Sequence, residues 1–120
     1  MARILLAEDD DSLRSFLTLN LTRAGHDVDS YGDGDSAWEA LERSAYEVLL
    51  TDIVMPGMDG IELARRAAEI DPGLKIVFIT GFAAVALSQA HKTPKDAKVL
   101  SKPFHLKDLV IELERVIAAA

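Results

Sequence analysis

Short apolar runs recur along the chain and predict the strands of a sheet. Four of them are continuous, are bounded by turn residues and are typical of strands buried on both faces of a parallel sheet: residues 4–7, 48–50, 76–79 and 99–100. A fifth segment, residues 28–31, is the least apolar of the set. We expect it to lie nearest an edge of the sheet.

The segments between these runs have helical periodicity. Their apolar residues recur at spacings of three and four, which places them on one face of a helix, over residues 13–24, 37–41, 61–68 and 106–117. A shorter helix is expected over about residues 83–90. Gly25 and the Asp71-Pro72-Gly73 turn are typical helix ends. The aromatic side chains of Phe16 and Trp38 are expected to pack in the core.

Strands that alternate with helices at this spacing predict an α/β fold. Parallel strands joined by right-handed crossovers form a three-layer sandwich, with helices on both faces of the sheet. The 120 residues are enough for one domain, and we interpret residues 1–120 as a single domain.

The composition of the chain argues against several classes of function. The net charge of −7 argues against nucleic acid as a direct partner, because phosphate binding needs a basic face. The absence of cysteine excludes disulfides and thiolate metal sites. No apolar run reaches membrane-spanning length, and the short apolar start lacks the hydrophobic stretch of a signal peptide. A soluble cytoplasmic protein is therefore expected.

Polar residues follow the predicted strands where each strand ends. Glu8 and Asp9 follow the first strand, Asp52 the third, Thr80 the fourth and Lys102 the fifth. In an open parallel sheet, loops from these carboxyl ends converge and form the binding site. We therefore expect one crevice that contains several carboxylates, one hydroxyl and one lysine.

This set of side chains predicts a magnesium site and phosphoryl chemistry. Crowded carboxylates raise each other's pKa unless a cation compensates them, and Mg²⁺ prefers oxygen ligands. Beside a metal, Asp52 is a plausible nucleophile, since carboxylates form acyl-phosphate intermediates. Lys102 supplies a positive charge for one phosphoryl oxygen, and Thr80 a hydrogen bond for another.

Four ordered motifs resemble the response-regulator receiver domains of two-component signalling: Glu8-Asp9, Asp52 followed by Met-Pro-Gly-Met-Asp-Gly at 55–60, Thr80-Gly81 and Lys102-Pro103-Phe104. The resemblance implies a flavodoxin-like (βα)5 sandwich with strand order 2-1-3-4-5. It also implies a phosphorelay in which Asp52 accepts a phosphoryl group from a histidine kinase or a histidine phosphotransfer protein. Such a domain is a signalling switch and not a turnover enzyme.

The resemblance further implies the Mg²⁺ ligands. These are the carboxylates of Asp9 and Asp52, the carboxylate of Glu8, often through water, and the main-chain carbonyl of Val54. The peptide bond before Pro103 is expected to be cis, as is common at this junction in the family.

The chain departs from the family pattern at three positions. Val99 stands three residues before Lys102, where many receivers have an aromatic side chain that reports phosphorylation through the Thr. We hypothesise that Thr80 instead shifts the following loop through Gly81 and Phe82. Val54 and Phe82 occupy the positions that help to place the water in self-dephosphorylation, and neither side chain forms hydrogen bonds. A long-lived phosphoform is therefore predicted.

The output of the domain is predicted to be a protein-binding face over about residues 82–120, which we call the output face. Thr80-Gly81-Phe82 and the apolar ending 116–120 are similar to those of CpdR-type single-domain regulators, which act as adaptors for the ClpXP protease and the cell cycle. A phosphorelay intermediate and a chemotaxis-type regulator are the alternatives.

A magnesium-dependent phosphatase of related topology is disfavoured. Such an enzyme normally needs a second aspartate two residues after the nucleophile, and Val54 occupies that position here. A monomer or weak homodimer is expected.

Overall fold

The computed structural model describes residues 1–81 and 97–119. Its elements, in chain order, are β1 Arg3–Ala7, α1 Asp11–Arg23, β2 Asp27–Tyr31, α2 Gly34–Arg43, β3 Val48–Asp52, α3 Gly60–Ile70, β4 Lys75–Thr80, β5 Lys98–Ser101 and α4 Leu106–Ala118. The predicted helix over 83–90 lies outside the described residues. None of the described helices is long and apolar enough to cross a bilayer.

All five strands form one parallel sheet in the order β2-β1-β3-β4-β5. The predicted fold class and strand order are therefore confirmed. The weakly apolar segment 28–31 lies in β2, at an edge of the sheet, as expected. Strand β3 is central, and all of its residues are buried. Its last residue, Asp52, pairs with Ile79 of β4, and the preceding Thr51 pairs with Ala7 of β1.

The sheet separates two hydrophobic cores. Successive side chains of a strand point to opposite faces, so Leu5 packs in one core with α2 and α3, while Ile4 and Leu6 pack in the other with α1 and α4. Burial on both faces explains why the strand segments are continuous apolar runs. The result is the predicted three-layer sandwich.

Helices α1, α2 and α3 each begin after an aspartate that caps the first turn. The carboxylates of Asp10, Asp33 and Asp59 accept main-chain N–H donors three residues later, at 3.0, 2.7 and 2.8 Å respectively. These bonds satisfy N–H groups that have no partner within the helix. Each cap sets where its helix starts, close behind the carboxyl end of a strand.

Phe16 and Trp38 were both expected to pack in the core. Trp38 is half-buried against the core, but the expectation for Phe16 was wrong. Phe16 is 48% exposed, while the next residue, Leu17, is completely buried. The buried face of α1 runs through Leu17 and Leu21, and Phe16 lies about 100° away from Leu17 around the helix axis. Leu17 therefore contributes to the core and Phe16 does not.

This difference predicts unequal effects of truncating two adjacent residues. Leu17→Ala should lower the free energy of unfolding by about 3 kcal/mol, because it leaves a cavity between α1 and the sheet. Phe16→Ala should lower it by less than about 1 kcal/mol, since its ring contacts solvent. Urea denaturation of both variants measures the effects, and equal losses would contradict the assigned face of α1.

Candidate functional site

The strand ends bring the predicted acidic and basic residues together. The Nζ atom of Lys102, after β5, donates hydrogen bonds to Glu8 Oε1 at 2.9 Å and to Asp52 Oδ2 at 2.7 Å. Carboxylate oxygens of Glu8, Asp9 and Asp52 all lie within 4.8 Å of one another. Residues from three strand ends thus form one cluster, as the sequence predicted.

Asp52 occupies the last position of β3 and is nearly buried. Its Oδ1 atom accepts the main-chain N–H of Ile53 at 2.7 Å, while Oδ2 accepts the bond from Lys102. Both oxygens are therefore oriented by fixed donors. The Asp52 carboxylate is thus held in one orientation at the end of β3.

Glu8 is completely buried, and each of its polar atoms has a partner. Its N–H donates to the carbonyl of Tyr31 at 3.0 Å, and its carbonyl accepts from the Arg14 guanidinium at 2.8 Å. Its carboxylate accepts from Lys102 through Oε1 and from the N–H of Asp10 through Oε2, the latter at 3.0 Å. The conformation of Glu8 is therefore specified by four separate contacts.

The electrostatics of the cluster reflect an excess of negative charge. The pKa of Glu8 is raised to about 7, mainly by burial and in part by the nearby Asp52, while hydrogen bonds from Lys102 and Asp10 oppose the shift. Burial alone would lower the pKa of Lys102, but its hydrogen bonds to Asp52 and Glu8 raise the pKa above the usual value. Lys102 is therefore a permanent cation beside carboxylates that outnumber it.

Thr80 and Val54 lie at or just beyond the ends of the neighbouring strands β4 and β3. Thr80 is buried at the end of β4, where its carbonyl accepts the main-chain N–H of Lys102 at 2.7 Å. Val54 lies two residues beyond Asp52 and is half-exposed; its carbonyl as a metal ligand stays a prediction. The peptide bond between Lys102 and Pro103 is cis, as expected. Phe82 lies outside the described residues.

Close backbone approaches hold the loop after β3. The N–H of Gly60 donates to the carbonyl of Ile53 at 2.7 Å, and a Cβ atom on Gly60 would lie 1.9 Å from the carbonyl oxygen of Asp52. A Cβ atom on Gly34, at the start of α2, would likewise lie 1.9 Å from the carbonyl oxygen of Met58. Helix α2 therefore packs directly against this loop.

Sequence reasoning did not identify the roles of Gly34 and Arg14. The Met-Pro-Gly-Met-Asp-Gly motif indicated Gly60, but no local pattern relates Gly34 to a loop more than twenty residues later. Arg14 follows Asp11 at helical spacing, which predicts a surface ion pair. Its contact with the Glu8 carbonyl depends on how the turn after β1 folds.

Residues 4–114 match the sequence model of the protein family described as the response regulator receiver domain. The chain belongs to the response regulator receiver family. It is 62% identical to the response regulator receiver protein CpdR of Brucella abortus, over the full length of both chains. It is 36% identical to the sensor kinase CckA of the same organism, covering 97% of this chain but 12% of that protein. The expected resemblance to CpdR-type regulators is confirmed.

Solved receiver structures have the same fold. A CheY-like receiver domain protein from Methanospirillum hungatei is 25% identical, with a TM-score of 0.89 over 98% of this chain and 94% of that one. The response regulator TrrA from Thermotoga maritima, solved in complex with Mg²⁺ and BeF, is also 25% identical, with a TM-score of 0.84 over 97% and 99% of the two chains.

Membership of the family establishes the general function of the chain, which is signalling. Receivers are signalling domains of two-component systems, which accept a phosphoryl group from a histidine kinase and bind Mg²⁺ at an acidic site. This receiver has a cluster of that kind in Glu8, Asp9 and Asp52. It therefore acts as a response regulator in a phosphorelay.

The close contact at Gly60 predicts a strong effect of a single methyl group. Gly60→Ala should lower the free energy of unfolding by about 3 kcal/mol, because the new Cβ atom meets the main-chain carbonyl of Asp52. Gly73→Ala is the matched control, since its Cβ atom would lie 3.4 Å from the nearest atom, an Asp71 carboxylate oxygen. Urea denaturation compares the two, and a Gly60→Ala variant as stable as the control would contradict the close approach.

Proposed function

We propose that Asp52 is the phosphoacceptor of this receiver and takes its phosphoryl group from a histidine of a kinase or phosphotransfer protein. One observation carries the proposal: the Lys102 ammonium contacts the Asp52 carboxylate at 2.7 Å, within a cluster that holds two further carboxylates. In this proposal residues 1–120 form one receiver domain.

The donor set fits Mg²⁺, for which we propose the carboxylates of Glu8, Asp9 and Asp52 and the main-chain carbonyl of Val54 as ligands. All are oxygen donors, and three carboxylates clustered around one ammonium leave an excess of negative charge that a divalent cation balances. Asp9 is the exposed member of the cluster. When bound, Mg²⁺ would offset the negative charge of the phosphoryl group and the acceptor carboxylate.

The protein's own residues perform the transfer by position and charge. An Asp52 oxygen forms the new bond to phosphorus as the phosphorus–nitrogen bond of the donor histidine breaks. Lys102, already within hydrogen-bonding distance of Asp52, places its ammonium beside a phosphoryl oxygen. Thr80 ends the neighbouring strand β4, where its hydroxyl is proposed to donate to another phosphoryl oxygen.

The proposal predicts a phosphoryl group on one residue only. Incubation with acetyl phosphate and Mg²⁺ should add one phosphoryl group to the wild-type chain, detected by intact mass. Asp52→Asn should add none, although the amide retains nearly the same shape. Asp108→Asn, in the first turn of α4, is the control and should be phosphorylated like the wild type.

Two results would contradict this assignment. Equal phosphorylation of Asp52→Asn would place the phosphoryl group on another residue. A folded wild-type chain that binds Mg²⁺ but gains no phosphoryl group from acetyl phosphate or from a histidine donor would show that Asp52 is not an acceptor.

For the output, we propose that the chain acts as a CpdR-type adaptor that binds ClpX in its unphosphorylated form and controls ClpXP proteolysis and the cell cycle. The support is the 62% identity to CpdR over both full chains. The output face also exposes apolar side chains, Val99 on β5 and Ile111 on α4. Exposed apolar residues of this kind are available for contact with a protein partner.

Binding to purified ClpX tests the adaptor role. The wild type should bind when unphosphorylated and lose affinity after treatment with a phosphodonor, while Asp52→Asn should bind in both conditions. Ile111→Glu should weaken binding about tenfold, because it places a charge in the output face. Ile70→Glu, at the end of α3, is the control, since Ile70 is also an exposed isoleucine, at 53% against 39% for Ile111. Absence of ClpX binding by all forms would exclude the adaptor role and favour a phosphorelay intermediate.

A further inference from the structure

Arg14 joins three parts of the chain beside the acidic cluster. From the first turns of α1, its Nη1 atom donates to the carbonyl oxygen of Glu8 at 2.8 Å. Its Nη2 atom donates to the Asp11 carboxylate at 2.5 Å. A Cβ atom on Gly32, in the loop after β2, would lie 3.0 Å from Nη1. The guanidinium is therefore held between the turn after β1, helix α1 and the neighbouring loop.

The guanidinium satisfies a buried main-chain acceptor. Glu8 is completely buried, and its carbonyl lies where the chain leaves the sheet. A buried carbonyl without a partner is strongly disfavoured, so the turn would rearrange if this donor were lost. Among the described hydrogen bonds, the one that the Glu8 carbonyl oxygen accepts comes from Arg14.

This carbonyl belongs to the peptide unit that joins the two acidic residues. The planar peptide between Glu8 and Asp9 fixes the direction in which the chain enters Asp9. Glu8 is oriented by three other contacts, whereas Asp9 is exposed and begins the turn that leads into α1. The orientation of the peptide therefore sets where the Asp9 carboxylate lies relative to Glu8 and Asp52.

We propose that Arg14 is a positioning residue for the metal site: it fixes the peptide between Glu8 and Asp9 and so holds the Asp9 carboxylate where it binds Mg²⁺. This inference rests on the proposed Mg²⁺ site. Arg14 itself touches neither the metal nor the phosphoryl group and acts through the Glu8 carbonyl.

The direction of the effect separates positioning from simple electrostatics. Arg14 carries a positive charge near a cation site, so removing the charge would by itself tighten Mg²⁺ binding. Loss of positioning has the opposite effect, since groups that orient metal ligands typically contribute 10- to 100-fold in affinity. A weaker affinity after neutralisation is therefore a result that charge alone does not produce.

Calorimetric titration of the unphosphorylated chain with Mg²⁺ tests the proposal. Arg14→Gln should raise the dissociation constant about tenfold. Arg23→Gln, which removes the same charge from the exposed last turn of α1, is the matched control and should leave the dissociation constant unchanged. Arg14→Lys keeps the charge but cannot bind the Glu8 carbonyl and Asp11 together, so its affinity should be intermediate.

A spectroscopic signature checks the mechanism without metal. The Asp9 amide belongs to the peptide whose carbonyl Arg14 binds, so its ¹H–¹⁵N resonance should shift in metal-free Arg14→Gln and stay unchanged in Arg23→Gln. Thermal denaturation of the same samples verifies that each variant is folded.

The outcomes are distinguishable. A wild type that does not bind Mg²⁺ would overturn the proposed metal site itself. A wild type that binds Mg²⁺, with Arg14→Gln binding equally or more tightly, would overturn only the role of Arg14. If Arg14→Gln does not fold, Arg14→Lys decides, and a dissociation constant equal to that of the wild type would overturn the inference.

Discussion

The contact of one lysine with two buried carboxylates determines the organisation of this receiver. Lys102 reaches Glu8 and Asp52 across 94 and 50 residues of sequence and links the ends of β5, β1 and β3. Without that ammonium, the two carboxylates would be left in a buried site without their counter-charge, which is strongly unfavourable. Removal of the ammonium would therefore destabilise the ends of these strands, and its presence places a cation beside the proposed acceptor.

The geometry of this contact depends on the register of the sheet. Strand β3 lies between β1 and β4, with hydrophobic cores on both faces, so Asp52 has little freedom to move along the strand direction. Beyond Asp52, the chain turns back against its own backbone, and Gly60 is the point of closest approach. The chemistry of the site thus depends on residues at or just beyond the ends of buried strands.

The sequence predicted the strands and the strand-end residues because these features are local. Continuous apolar runs identify buried strands, and Glu8, Asp9, Asp52 and Lys102 follow from the ends of those runs. The strand order came from the family resemblance. The exposure of Phe16 was not predictable from spacing alone, since Phe16 and Leu17 both fit an apolar helix face. The contacts of Gly34 and Arg14 depend on backbone atoms brought together only by folding.

The packing of α2 against the loop after β3 has a consequence for building chimeric receivers. Because Gly34 lies against the carbonyl of Met58 and Asp35 accepts the N–H of that residue, the loop and the start of α2 fit each other as a matched pair. A loop transplanted from another receiver would meet a foreign helix start. Exchanges between receivers at this position should therefore move both segments together.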